Sequence, residues 1–446
     1  MGTPILLGTY EPYSVGERRH DPFFLDPAQH TYIIGASGSG KTHLLRNILI
    51  QMIANGEGVG FCDPHGDLAD ELLDHIPPER TKDICYFNPA DLRFPIAWNP
   101  LASVPPERQT RVIDGIVASF RNLFGNGWGY QTEHILSNII AVLISAENTS
   151  LLGIRRVLID ADYRHTLLRQ VKDPLVQSFW SDEFEAWEPK FRLAAIAPLE
   201  NKIGALFRNS IARNILGQVQ NRLDIRSLMD TRAIFIARLP KGIIGTHTAK
   251  LLGALLMTQF EQVALERAES PVSDRTPFHL LLDEFQSFLT DDPEAFATTL
   301  AETRKYGLFL TLSHQFLAQI EDDQLKHAVI SNAGNLLVFR VSGHDARFLE
   351  DTLSTDSARI HKDIFVNLHR GEVIARLITD GIPQVPLIGT VSSALENPHD
   401  QRHRIITRSR RTFAQPSHVV EAQITKFFQT PRKPKSGKMP AVVRRA

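Results

Sequence analysis

The sequence predicts an α/β fold: a central, mostly parallel β-sheet flanked by helices and interrupted by an inserted all-helical domain. Three observations carry this expectation. A glycine-rich stretch, Gly35-Ala36-Ser37-Gly38-Ser39-Gly40-Lys41-Thr42, follows the apolar run Thr31-Tyr32-Ile33-Ile34 and precedes the helical pattern Leu44-Leu45-Ile48-Leu49-Met52-Ile53. A second apolar run, Phe278 to Leu282, ends in the adjacent acids Asp283 and Glu284. From about Pro100 to Gln220 the apolar residues recur at helical spacing, and strand-like alternation is scarce.

The glycine-rich stretch has the spacing G-x-x-x-x-G-K-[ST] in the strand-to-helix context of a phosphate-binding loop. Gly35, Gly38 and Gly40, with Ser37 and Ser39 between them, let backbone N–H groups turn inward around phosphates. Lys41 is expected to reach the β- and γ-phosphates of ATP, and the Thr42 hydroxyl to ligate Mg²⁺. A strand follows from Gly58 to Asp63, then a helix near Leu68 to His75 and a third strand, Asp83 to Phe87. Short links of this kind mean parallel pairing with right-handed crossovers. Asp63 is then expected at the carboxyl end of a strand neighbouring the phosphate loop, as part of the nucleotide site.

After the helical region the sheet pattern resumes with Ala233 to Ala237, followed by a helix from about Thr246 to Arg267. At the end of the run Phe278 to Leu282, Asp283 is expected to hold Mg²⁺ and Glu284 to polarise the water that attacks the γ-phosphate. The strand Leu308 to Leu312 ends in Ser313-His314-Gln315, where the Gln315 amide either bonds the γ-phosphate or the attacking water, or is a plain loop residue. Arg340 interrupts the apolar run Leu336 to Val341, and a charge there needs an acceptor. That acceptor is either a neighbouring subunit's nucleotide, reached in trans, or an internal acid. Arg304 and Lys305 are the other candidates for the trans contact, or else caps of a helix dipole. Trp128, among glycines, either stacks on a base or anchors its loop. His65, His314 and His344 read as polar loop residues, since no metal-ligand spacing appears.

At 446 residues, 43% hydrophobic and 22% charged, the chain has the composition of a globular protein with a substantial core. Its longest apolar runs fall short of the roughly 18 residues of a membrane helix. Two cysteines, Cys62 and Cys85, make no disulfide framework, and together with an ATP-binding loop they suggest a cytoplasmic setting. The net charge of −1 hides an asymmetry: residues 401–446 hold 12 Lys/Arg against one acid, Glu421. The expectation there is a flexible basic tail, either bound to nucleic acid or merely solvated.

These residues together resemble the type IV secretion coupling-protein ATPases of conjugation systems, within the HerA–FtsK superfamily of RecA-like DNA motors. The resemblance rests on His30 to Gly35 running into the phosphate loop, on Asp63-Pro64-His65-Gly66-Asp67-Leu68, Asn99-Pro100-Leu101, Gly127-Trp128-Gly129 and Asn214 to Gln218. It continues through Lys241-Gly242, Asp283-Glu284-Phe285-Gln286, Arg304-Lys305-Tyr306-Gly307, His314-Gln315 and Phe339-Arg340. It implies a RecA-like P-loop NTPase domain over residues 31–100 and 221–395, after a lead-in segment of residues 1–30, and an all-helical insert over 101–220. It also implies a homo-oligomeric ring, expected to be hexameric, with ATP between subunits and DNA in the pore. Membrane-bound coupling proteins usually begin with transmembrane helices and HerA-type helicases with a β-barrel, neither of which is read here. A conjugative motor, a helicase working with a nuclease or effector in end processing or anti-phage defence, and a nucleotide-switched scaffold therefore all remain open. A secretion channel is a possible partner in the first case.

Overall fold

The structure is a computed structural model that describes residues 3–11, 20–289, 293–354, 359–393 and 398–429. Its strands are β1 (Ile5–Tyr10), β2 (Asp21–Leu25), β3 (Thr31–Ile34), β4 (Gly58–Asp63), β5 (Ile84–Phe87), β6 (Ile234–Arg238) and β7 (Phe278–Leu282). They continue with β8 (Leu308–His314), β9 (Asn335–Val338), β10 (Glu372–Arg376), β11 (Ile378–Thr379), β12 (Ile382–Pro383) and β13 (Leu387–Val391). Eleven of them form one sheet in the order β2-β1-β13-β10-β9-β3-β8-β7-β4-β6-β5, while β11 and β12 pair separately. From β9 to β5 every pairing is parallel; from β9 to β10 and outward to β2 every pairing is antiparallel.

Burial explains the division. Each residue of β3, β4, β5, β7 and β9 is buried, as strands covered by helices on both faces require. Strands β2 and β13 alternate in exposure, because the antiparallel end has one wet face. Successive residues of β3 point to opposite faces: Ile33 joins Leu44, Leu45, Ile48 and Leu49 of the helix Lys41–Ala54, whereas Tyr32 and Ile34 join the layer that includes Phe235, Phe260 and the insert.

Two expectations about order change here. Residues 1–30 are more than a lead-in, since β1 and β2 form the antiparallel edge of the sheet. And β4 does not neighbour β3: β8 and β7 lie between them. Local periodicity identified the strands but carries no information on which later strand inserts between two early ones.

Among the described residues no strand occurs between β5 and β6. The long helices there are Pro106–Phe124, Tyr130–Ser145 and Pro189–Arg208. They do not enclose a separate core, because their apolar faces belong to the same continuous cluster as one face of the sheet. The first packs closely on the helix Thr246–Glu266: a Cβ on Gly115 would lie 2.3 Å from Thr258 Cγ2. Trp128 anchors its loop, stacking on Phe124 with ring centroids 6.0 Å apart and donating from Nε1 to Glu133 Oε2 at 2.9 Å.

Residues 402–429, expected as flexible tail, fold into the helices Arg402–Phe413 and Ser417–Gln429. Ile405, Ala414, Val420 and Ile424 are buried against the body. Ala414 bridges Ile96 beyond the edge strand β5, and Ser409 Oγ accepts the Tyr86 N–H at 3.0 Å. Arg402 pairs with Asp74, and Arg410 with Asp91 at 2.6 Å. Partly exposed pairs of this kind contribute about 0–1 kcal/mol each, so the apolar contacts and the capped sheet edge decide the docking. Composition alone concealed two amphipathic stripes. Residues 430–446, with the rest of the basic run, lie outside the described residues.

Candidate nucleotide site

The site lies at the carboxyl ends of β3, β8 and β7, three adjacent parallel strands. β3 feeds Gly35–Thr42. Gly38 and Gly40 have φ of 74° and 122°, a region costly for residues with a Cβ. Gly35 is needed for space, since a Cβ there would come within 2.5 Å of Phe339 Cβ. The loop is pinned from both sides: Ala36 N–H donates to Arg340 O at 2.7 Å and Gly371 N–H to Ser39 O at 2.9 Å. The helix Lys41–Ala54 begins at Gly40 with no side-chain cap and no acid in its first turn. Its first N–H groups are thus left for an anion.

Lys41 is buried, and its ammonium donates to the carbonyls of Gly35 and Ala36. Burial lowers its pKa, while Glu284 and Asp283 act in the opposite direction. Ser39 Oγ is buried and has no hydrogen-bond partner among the described residues. Thr42 is exposed at the start of the helix, and Ser37 is exposed at the tip of the loop.

β7 delivers the acids. Asp283 and Glu284 are both buried, and Asp283 N–H donates to Cys62 O at 3.2 Å. Burial, followed by the neighbouring Glu284, pushes the Asp283 carboxyl up to about 6, against the pull of Ser313 and Lys41. Glu284 has φ 47° and ψ 51°, a left-handed backbone that costs a non-glycine residue about 1–3 kcal/mol and concentrates at functional sites. Its carboxylate accepts three amide N–H donors: Gln315 Nε2 on Oε1 at 2.6 Å, and Gln286 Nε2 at 2.6 Å and Gln319 Nε2 at 3.4 Å on Oε2.

β8 ends in His314, which is buried and hydrogen-bonded through Nε2 to the Tyr32 hydroxyl, not a polar loop residue. Burial, aided by Lys41, lowers its pKa to about 3, so it is neutral at pH 7. His65 and His344 are exposed, and no group of three or more metal-ligating side chains occurs among the described residues. Beyond Gln315, a cavity of about 470 Å³ is lined by Ala36, Ser37, Phe316, Ser342 and Asp345.

The predicted residues Gly35 to Thr42, Asp283, Glu284 and Gln315 therefore come together. Asp63 does not join the phosphate loop. It ends β4, three positions from β3, and both its carboxylate oxygens are engaged by backbone: Oδ1 by His65 N–H at 2.8 Å and Oδ2 by Ala69 N–H at 2.9 Å. It stiffens a turn and adds negative charge near Asp283. Arg340 is not a buried charge inside a strand: it lies past the end of β9, exposed, with its carbonyl on the chain's own phosphate loop. Arg304 and Lys305 are exposed at the opposite, amino end of β8, where Arg304 Nη1 donates to Gln29 Oε1 at 2.7 Å.

Three residues at the site carried no role in the sequence. Gln286 and Gln319 hold Glu284, and Lys241 donates to Ser287 Oγ at 2.6 Å, in the electrostatic field of Glu284 and Asp283. Gln286 was visible only as the last letter of the run Asp283 to Gln286. Nothing local marks Gln319.

Residues 26–357 match the family model of the type IV secretion-system coupling protein DNA-binding domain. The chain belongs to this family. Its fold matches that of solved coupling proteins. The bacterial conjugative coupling protein TrwBdeltaN70, unbound, superimposes with a TM-score of 0.59 at 16% identity, over 85% of this chain and 87% of that one. The plasmid coupling protein TrwB in complex with ADP and Mg²⁺ gives 0.60 at 16%, over 90% and 97%. VirB4 of Thermoanaerobacter pseudethanolicus gives 0.56 at 14%, over 88% and 97%. No curated protein sequence matches the chain. The lead-in strands β1 and β2 lie ahead of the matched residues, and the helices after residue 401 lie beyond them.

Proposed function

We propose that this coupling-protein-family chain is a Mg²⁺- and ATP-dependent motor that acts on DNA as a homo-oligomeric ring. One observation carries the reading: residues 35–42, 283–284 and 315, far apart in sequence, converge at the ends of three adjacent strands. The residues fit the nucleotide. The uncapped helix start and the unpartnered Ser39 hydroxyl offer donors to phosphate oxygens, and Asp283, buried beside another acid, would gain a countercharge from a divalent cation. Thr42 and Asp283 would hold Mg²⁺, which when bound neutralises charge on the β- and γ-phosphate oxygens. Lys41 binds and orients the phosphates, Glu284 takes the proton of the attacking water, and Gln315 senses the γ-phosphate.

A head-to-tail ring sets unlike faces against each other, so Arg340, exposed beside its own loop, and the exposed Arg304 and Lys305 are the residues available to a neighbour's site. Arg404, Arg408 and Arg411 are exposed at spacing that shares one face of the helix Arg402–Phe413, which suits sequence-indifferent contacts to DNA phosphates. No helix among the described residues is long and apolar enough to cross a membrane.

Purified protein should hydrolyse ATP in Mg²⁺ and do so faster with DNA. Hydrolysis without stimulation by DNA would favour a nucleotide-switched scaffold, and absent hydrolysis would overturn the reading.

A further inference from the structure

The three glutamines around Glu284 do not hold it equivalently. Gln315 alone covers Oε1, while Gln286 and Gln319 both donate to Oε2. We propose that Gln319 is a positioning residue: with Gln286 it fixes Oε2 of Glu284, so that Oε1 alone is exchanged between Gln315 and the attacking water. This rests on the hydrolytic reading above.

The orientation of the Gln319 amide follows from its other contacts. Its Oε1 accepts the backbone N–H groups of Gln315 at 3.0 Å and Phe316 at 3.2 Å. The NH₂ group is then left facing Glu284, and the reverse orientation would set N–H against N–H. Gln319 therefore links two strand ends, capping the turn after β8 with its oxygen and restraining the acid after β7 with its nitrogen. Gln286 is local to Glu284, two residues on, and its own amide oxygen has no hydrogen-bond partner among the described residues. Its alignment with the carboxylate is thus the contact that places it.

The consequence is an ordered release. With Gln315 on Oε1, the carboxylate oxygen that would accept a water proton is already occupied, and the acid is at rest. When Gln315 turns to a γ-phosphate, Oε1 is freed. The proton of the attacking water passes to Oε1 as the water oxygen bonds the γ-phosphorus and the bond to the bridging oxygen breaks, releasing ADP. Throughout this exchange the two amides on Oε2 keep the carboxylate from rotating. They also oppose relaxation of the left-handed Glu284 backbone, whose strain favours movement away from this position.

Two substitutions separate the clamp from the turn cap. Q319E keeps an oxygen for the N–H groups of Gln315 and Phe316 but sets a carboxylate against Glu284; Q319A removes both functions. In full-length protein with Mg²⁺ and ATP, Q319E is expected to lower kcat about tenfold or more, with ATP affinity within about twofold. A second readout needs no nucleotide. At pH 8, Q319E should lower the melting temperature by about 2 °C, and E284Q/Q319E, which restores an amide–carboxylate pair in reverse, should recover it.

A Q319E protein with wild-type kcat, slow turnover in Q319A alone, or melting shifts that simply add in the double variant would each overturn the clamp. Wild-type turnover in E284Q would instead overturn the hydrolytic reading, leaving the melting cycle to judge the clamp.

Discussion

Gln315 Nε2 lies 2.6 Å from Glu284 Oε1, so the residue that follows β8 and the acid just past β7 are bonded to each other. On the proposed roles, Gln315 would sense the γ-phosphate by letting go of Glu284. Gln315→Ala should therefore leave ATP affinity within about threefold and cut turnover by about a hundredfold, the scale on which removing one positioned donor acts. Steady-state kinetics beside equilibrium nucleotide binding provides the check, and unaltered kcat would remove Gln315 from the mechanism.

Lys41→Ala and Glu284→Gln should both abolish turnover but differ in binding. The first removes the ammonium held inside the loop, and with it most nucleotide affinity. The second keeps the shape of the site and should still bind ATP. Normal hydrolysis by either variant would sink the assignment.

Asp283 gives the site a pH dependence. Its carboxyl is raised to about 6 by burial and by Glu284, so below that pH it carries a proton that a Mg²⁺ held there, as proposed, would displace. Mg²⁺-dependent nucleotide binding should strengthen as pH rises through 6 and release protons near that pH, which calorimetry in two buffers of different ionisation enthalpy would detect. The sign for stability is opposite. Between the unfolded value of 3.8 and about 6 the folded chain binds the extra proton, so this group lowers the stability of the nucleotide-free protein as pH rises. Mg²⁺ and ADP should offset that loss in thermal melts at pH 7.

Asp63→Ala should act on the fold more than on the nucleotide. It strips two backbone N–H groups of their acceptor in a partly buried turn, a loss of about 1–3 kcal/mol. A lowered melting temperature with ATP affinity within about threefold is expected; a large drop in affinity without destabilisation would return Asp63 to the nucleotide site.

The arginines of the Arg402–Phe413 helix divide by role. Truncation at residue 401 would strip Ile405, Ala414 and Val420 from the core and expose the edge of β5, so it tests folding as much as DNA binding. Replacing Arg404, Arg408 and Arg411 by Ala leaves those apolar contacts intact and removes one docking bond, from Arg408 Nε to Lys82 O at 3.3 Å. It should weaken DNA binding across all sequences and reduce the salt slope by about one per lost phosphate contact. An unchanged slope would make this helix only a structural strut.

The chain's own residues determined the local elements. Glycine spacing, strand-to-helix context and a terminal acid pair are short-range patterns, and they specified the loop at residues 35–42 and the acids at 283–284 without any knowledge of strand order. Helical periodicity likewise marked the insert. Tertiary structure decided which ends meet. It placed β8 and β7 between β3 and β4, which brought Gln315 to Glu284 and carried Asp63 away from the phosphate loop. It exposed Arg340 by ending β9 at Val338, and it turned residues 402–429 from a basic tail into a cap for the sheet edge. The physical reason is common to all of these. Period and propensity act over a few residues, whereas strand neighbours, buried amide clamps and docked helices are fixed by which apolar faces are covered once the whole chain has closed.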